Sequence, residues 1–269
     1  MKDILQEIIA CKRIEVDDQR EAVSLNMLLA LASEQMSRPT RSMRMALAAS
    51  PSGIIAEFKR KSPSKGWLHA DATVSDILPA YERAGAAACS VLTDEHFFGG
   101  ALGDLKQARQ KVDLPLLRKD FIVDEYQLYQ ARAMGADAVL LIAACLTPDR
   151  CLELTVLAHA LDLEVLLEVH TEEEFAHINP QIDMLGINNR HLGTFQTEVE
   201  NSFRLSAVIK QRTGEESIPL LVSESGIPDP VVARRLRDCG FRGLLIGETF
   251  MKSPHPGDAL SAFIGGMLC

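Results

Sequence analysis

Residues 138–168 read AVLLIAACLTPDRCLELTVLAHALDLEVLLE, and this stretch decides the fold. A short apolar run at 138–143 gives way to a helix-like segment at 148–160, then to a second apolar run at 164–168 that closes on Glu168. Strands buried on both faces read as continuous apolar runs, and a helix between two of them returns the chain for a parallel pairing. The stretch is a βαβ unit.

The same rhythm recurs in both directions. Apolar runs at 53–58, 88–93, 115–119, 138–143, 164–168, 184–188, 219–223 and 244–247 each end in polar or charged residues. Helix-like segments intervene at 74–84, 125–134, 148–160, 171–177, 228–238 and 257–264. Eight near-equal units favour a closed (β/α)8 TIM barrel over an open doubly wound sheet, since no G-x-G-x-x-G follows the first run. Ahead of them, residues 1–50 have helical spacing (Ile4, Ile8 and Ile9, then a stretch around Leu25 to Ala32), punctuated by Pro39 and Pro51. The expectation is one domain, residues 1–269, of which 1–50 is a helical N-terminal extension.

A net charge of -9 argues against nucleic acid or a membrane surface as partner, because both are polyanionic and call for a basic face. An anionic small molecule is still compatible, provided that a local cluster of Lys and Arg receives it. The six cysteines form no C-x-x-C pair, and the first residues mix charged and apolar side chains without a signal-peptide core. A soluble protein of the reducing cytoplasm is expected.

In a barrel of this kind the active site lies at the C-terminal ends of the strands, so charges that close apolar runs point toward the ligand. That rule selects Glu57, Phe58 and Lys59 after the first run, Arg118, Lys119 and Asp120 after the third, Glu168 after the fifth, Asn188, Asn189 and Arg190 after the sixth, and Glu224, Ser225 and Gly226 after the seventh. Glu57 and Lys59 are two residues apart and therefore share one side of a strand. Glu168 is the lone carboxylate at its mouth, since two residues back lies Leu166; burial there is expected to raise its pKa. Lys119 is placed either to protonate a carbonyl or to form a Schiff base. Ser225-Gly226 and Gly247-Glu248, after the seventh and eighth runs, stand where barrels often bind phosphate. The loop 61–66, with Ser62, is placed to close over substrate, and Phe98 belongs to a loop that either lines the pocket or packs on itself. The histidines, His170 and His191 among them, lack metal-ligand spacing and read as structural or exposed; no metal site is expected.

These motifs resemble one family, the indole-3-glycerol-phosphate synthases. The segments that carry the likeness are IIAEFKRKSPSKG (54–66), SVLTDEHFFGG (90–100), PLLRKDFIVDEYQ (115–127), ADAVLLIAA (136–144), LEVLLEVH (163–170), LGINNRHLGTF (185–195), LVSESGI (221–227) and LLIGETFM (244–251). They span every run in order; AEFKRKSPSKG and RKDFI are specific, whereas ESGI and IGE occur more widely in phosphate-binding barrels. The resemblance implies a decarboxylating lyase of tryptophan biosynthesis that needs no cofactor. It implies that Lys119 protonates the ketone of the substrate's ribulose chain and that Glu168 is the acid/base for the ring-closed intermediate. It further implies that Lys59 binds the anthranilate carboxylate, Glu57 holds the lysines and Asn188 orients hydroxyl groups. Ser62, Phe98, Arg190 and Glu224 would complete the substrate wall, with Ser225, Gly226, Gly247 and Glu248 framing the phosphate. An isomerase on the same fold is disfavoured, since a Cys is expected near the end of its first strand and Glu57 and Lys59 stand here instead. The likeness is compatible with a monomer and with other tryptophan-pathway enzymes as partners.

Overall fold

The computed structural model describes residues 4–191, 196–213 and 218–269; the LGTF end of the sixth motif, residues 192–195, lies outside them. The chain closes eight parallel strands into a barrel: β1 (Ile54–Phe58), β2 (Ala88–Leu92), β3 (Leu116–Lys119), β4 (Ala138–Ile142), β5 (Glu164–Val169), β6 (Met184–Asn188), β7 (Leu220–Glu224) and β8 (Gly243–Ile246). Each pairs with its sequence neighbours, and β8 closes on β1 through Ile54↔Leu244 and Ala56↔Ile246. The expected runs match within a residue or two. β7 is shifted one residue later than read, which brings Glu224 into the strand, and β5 continues to Val169.

Two outer helices, Leu102–Lys111 and Glu200–Thr213, were not read from the sequence. The first is mostly polar, with Leu105 and Ala108 as its buried apolar residues, so its apolar stripe is narrow. The segment read as a helix at 171–177 is a 3-10 turn, Glu173–His177. After β4, Thr147 accepts a hydrogen bond from the Arg150 N–H and Pro148 opens the helix Pro148–Ala160, a start that matches Pro's preference for the first helical turn.

Side chains alternate in and out along each strand, and the inward set forms layers. Ile55, Leu117, Leu166 and Val222, from β1, β3, β5 and β7, belong to one buried apolar cluster inside the barrel. Two residues further along the same strands stand Glu57, Lys119, Glu168 and Glu224, all lining the cavity at the mouth. An apolar layer thus carries a charged layer directly above it.

The N-terminal extension serves both ends of the barrel. Its last helix, Met43–Ala49, plugs the bottom: Met43 and Leu47 are fully buried within the interior cluster. Glu164, at the start of β5, anchors that helix by accepting hydrogen bonds from the Ser42 hydroxyl and the Arg44 N–H. Its first helix, Ile4–Ala22, runs past the mouth and contributes Ile4, Leu5 and Ile8 to the cavity wall. Lys12 on that helix is buried, with its ammonium 3.0 Å from Asp94 and 3.0 Å from Asp120. Asp94 caps the short helix Glu95–Phe98, and Asp120 follows Lys119, so one lysine ties the extension to two active-site loops. Among the described residues no helix is long and apolar enough to cross a membrane.

The plug yields a stability prediction. Leu47→Ala should cost about 2–5 kcal/mol, since the closed barrel floor cannot collapse around the void. The exposed Met45→Ala on the same helix should stay within about 0.5 kcal/mol of the parent. Urea denaturation midpoints of the two variants check the contrast.

Candidate active site

Every residue given a site role from the sequence lines one cavity of about 830 Å³ at the C-terminal mouth: Glu57, Lys59, Ser62, Phe98, Lys119, Glu168, Asn188, Arg190, Glu224, Ser225, Gly226, Gly247 and Glu248. Of the other strand-end residues Asp120 lines it too, whereas Phe58, Arg118 and Asn189 are buried beside it, Arg118 bonded to Asp120 and Asn189 to Ser223. Its centre is the Lys119 ammonium, 3.0 Å from Glu168 Oε2 and 3.2 Å from Glu224 Oε2. Beside it, Lys59 Nζ sits 2.6 Å from Glu57 Oε1, as their two-residue spacing requires. Two glycines make room for these carboxylates. A Cβ on Gly186 would stand 2.1 Å from Glu224 Oε1, and one on Gly247 would stand 2.4 Å from Glu57 Oε1.

Burial and charge set the protonation states. Desolvation pulls the Lys119 ammonium down, but Glu168, Glu224 and Glu57 outweigh it and hold the group protonated well beyond its ordinary range. Glu168 differs from the expectation. Burial does push its carboxyl up, yet Lys119 and then His170 oppose that, and the group is held as an anion below the usual carboxylate range. Lys119 is the first of the two opposing charges; the second, His170, expected from the sequence to be structural or exposed, is buried, with Nε2 3.3 Å from Glu168 Oε1. Glu224 carries the raised carboxyl instead. Burial and the neighbouring Glu168 charge lift it to about 8 against the pull of Lys119, and neither of its oxygens has an aligned hydrogen bond among the described residues. Two carboxylates sharing one ammonium do not ionise alike.

Around this centre the loops interlock. Arg190 donates to Ser64 Oγ at 2.7 Å and approaches Glu248 at 3.4 Å, joining the loop after β1 to the turn after β8. Arg60 grips Asp104 with both nitrogens, at 2.6 and 3.0 Å, and donates to the Gly99 carbonyl at 3.1 Å, which fixes the loop carrying Phe98. Phe98 lines the cavity and lies 6.0 Å from the Phe121 ring, while Phe97 packs inward. Asn188 Oδ1 accepts the Arg190 N–H, and the Ser62 hydroxyl accepts the Lys65 N–H. Ser225 and Gly226 are both left-handed, with φ of 65° and 67°, turning the chain sharply after β7. For Ser225 that conformation is uncommon and marks a backbone held for a purpose. Gly247 precedes the short helix Glu248–Met251.

The sequence reading missed several wall residues. Ile4 and Ile8 were visible as a helical apolar face, but nothing local says that the face meets the mouth. Leu140, Ile142 and Phe121 also line the cavity; as ordinary apolar residues of strands and loops they carry no signal.

Fold and site together define a (β/α)8-barrel enzyme whose cavity holds cationic groups among buried carboxylates. The comparisons sharpen that class. The family model described as indole-3-glycerol phosphate synthase matches residues 5–263. A relative named indole-3-glycerol phosphate synthase from Bacteroides thetaiotaomicron is 60% identical over 264 residues, covering 98% of each chain. Another of that name from Polaromonas naphthalenivorans is 44% identical, covering 98% of this chain and 100% of the relative. A crystal structure of tryptophan synthase subunit alpha from Legionella pneumophila superposes with a TM-score of 0.60 at 16% identity, covering 84% of this chain and 96% of that one. That likeness is one of fold. The chain belongs to the indole-3-glycerol phosphate synthase family.

The raised Glu224 carboxyl has a stability signature. A group whose pKa is higher folded than unfolded stabilises fully below its unfolded value and ceases to do so as pH rises through the folded one. Between about pH 4.3, the ordinary glutamate value, and the folded value of about 8, the parent should therefore lose stability relative to Glu224→Gln. Urea titrations at pH 5.5 and 8.5 measure the difference; parallel curves would show that Glu224 ionises normally.

Proposed function

We propose that the barrel closes the indole ring of 1-(2-carboxyphenylamino)-1-deoxyribulose 5-phosphate, with loss of carbon dioxide and water, to give indole-3-glycerol phosphate in tryptophan biosynthesis. Lys119 is the general acid and Glu168 the base. The observation that carries this reading is the Lys119 ammonium held among carboxylates at the barrel mouth, 3.0 Å from Glu168.

The substrate is anionic at both ends. Lys59 takes the carboxylate, with Glu57 fixing its ammonium, and Arg190, Ser62 and Phe98 form the wall around the anthranilate. The phosphate is held by backbone N–H groups of the Ser225-Gly226 turn and of Gly247-Glu248, a frame in which Glu248 contributes its backbone while its side chain pairs with Lys252 at 2.5 Å. Asn188 and Glu224 meet the hydroxyl groups of the chain, and a substrate hydroxyl supplies the hydrogen bond that Glu224 lacks.

In the first step the ring carbon bearing the carboxylate attacks the ketone carbon. The carbonyl electron pair moves to oxygen, and Lys119 gives that oxygen its proton. Carbon dioxide then leaves, and the electrons of its bond restore the aromatic ring. In the last step Glu168 takes a proton from the neighbouring CH2 as the new hydroxyl departs, protonated by Lys59, which decarboxylation has released from its carboxylate partner. A Schiff-base route through Lys119 is disfavoured because a lysine held as ammonium is not a nucleophile.

We further read residues 1–50 as part of the same domain, since they supply both the floor plug and part of the cavity wall. The free cysteines fit the cytoplasm.

Indole fluorescence during turnover tests the assignment. The parent should generate indole product; Lys119→Ala and Glu168→Gln should each lose about 10²–10⁴-fold in kcat while remaining folded. A parent that yields no indole refutes the function, and a folded, fully active Lys119→Ala refutes the site.

A further inference from the structure

Glu168 is held from two sides. Lys119 faces Oε2, and His170, the second residue after it, faces Oε1 at 3.3 Å. The other ring nitrogen of His170, Nδ1, lies 3.5 Å from Glu174 Oε2. Glu174 is itself fixed, since the same oxygen accepts the backbone N–H groups of His170, at 2.5 Å, and Thr171, at 3.4 Å. From the far side Asn201 Nδ2 donates to the His170 carbonyl at 3.1 Å, so backbone contacts anchor the residue at both ends.

A neutral imidazole has one N–H and one lone pair. Set between two carboxylates, it would turn that lone pair toward an anion whichever tautomer it took. Only the doubly protonated ring meets both anions with a positive charge, at ion-pair distances rather than in aligned hydrogen bonds, and burial limits the water that would relieve a mismatch. We propose that His170, backed by Glu174, is a positioning residue of the reaction: an imidazolium that orients the Glu168 carboxylate and keeps it anionic until it takes the substrate proton.

The inference rests on the reading of Glu168 as base. Burial lowers the affinity of His170 for its second proton, but Glu168 and Glu174 outweigh it and leave the ring titrating near pH 9. The other groups around the pair are Lys119 from β3 and Glu224 from β7, Glu57 from β1 facing Lys119, and Cys145 from the turn after β4, whose thiol burial holds neutral. Without the imidazolium, Lys119 alone opposes the burial that raises Glu168. The acid limb of the rate profile then moves to higher pH.

The test is the pH profile of kcat from 3.5 to 9.5 for the parent, His170→Gln and Glu174→Gln, followed by indole fluorescence. His170→Gln should move the acid limb up by about one pH unit, a loss of about tenfold low on the limb, and come within about threefold of the parent at pH 9.5, where the parent ring is itself losing its proton. Glu174→Gln should move the limb the same way by less. An unmoved acid limb, or an equal loss at every pH as a purely structural role would give, overturns the proposal. Nitrogen chemical shifts of His170 in the parent at pH 7.5 decide independently, even if His170→Gln does not fold: two protonated nitrogens are expected, and a neutral ring overturns it. Glu168→Gln assayed alongside separates the failures, because an active Glu168→Gln removes the base itself, whereas an inactive one with an unmoved His170→Gln limb removes only the role of His170.

Discussion

The Lys119 ammonium, 3.0 Å from Glu168 and 3.2 Å from Glu224, is the interaction on which the rest of this molecule depends. Bringing such charges out of water costs several kcal/mol per ion, about what a whole domain has to spare, and is sustained only where partners are held in place. A closed barrel supplies that restraint. Glu168 and Glu224 are fixed on strands locked by neighbours on both edges, and the apolar layer of Ile55, Leu117, Leu166 and Val222 fills the space beneath them. The glycines at 186 and 247 leave the volume that the carboxylates occupy.

The same constraint explains the N-terminal extension. A barrel floor open to water would hydrate the interior beneath the charged layer, and Met43 and Leu47 seal it. At the mouth, the helix Ile4–Ala22 supplies apolar wall to a cavity whose centre is charged, and buried Lys12 fastens it to Asp94 and Asp120. Asp120 adjoins Lys119, and Asp94 caps the helix that presents Phe98. The extension thereby couples the fixed charge on β3 to the aromatic wall after β2. Arg60 and Arg190 extend the coupling to the loop after β1, gripping Asp104 and Ser64.

Much of this was legible in the chain. Continuous apolar runs located every strand of the barrel, because parallel strands covered on both faces leave no polar alternation to confuse the pattern; the small antiparallel pair Lys61–Ser62 and Gly66–Trp67, polar and two residues a side, read as a loop. Most residues that the strand-end rule chose line one cavity; Phe58, Arg118 and Asn189, neighbours of lining residues, face away from it. What escaped it has a physical reason. Leu102–Lys111 was missed because its polar composition leaves little periodicity to read. Ile4, Ile8 and Lys12 were missed because their partners are distant in sequence. The protonation of Glu168 was read with the wrong sign because burial was counted, whereas the Lys119 and His170 cations beside it are brought there only by the fold.

The sequence by itself determined the alternation of strand and helix, the identity of the charges at the strand ends and, through the family likeness, the chemistry they serve. Period-two geometry along each strand is local, so a run of five residues specifies which side chain faces the mouth. Only the tertiary structure decided which of those charges meet, that Lys119 is shared between carboxylates, and that Glu224 rather than Glu168 carries the raised pKa. These are distances across the barrel between strands far apart in sequence. They are set by closure of the sheet, and an ionisable group takes its protonation from whatever that closure places beside it.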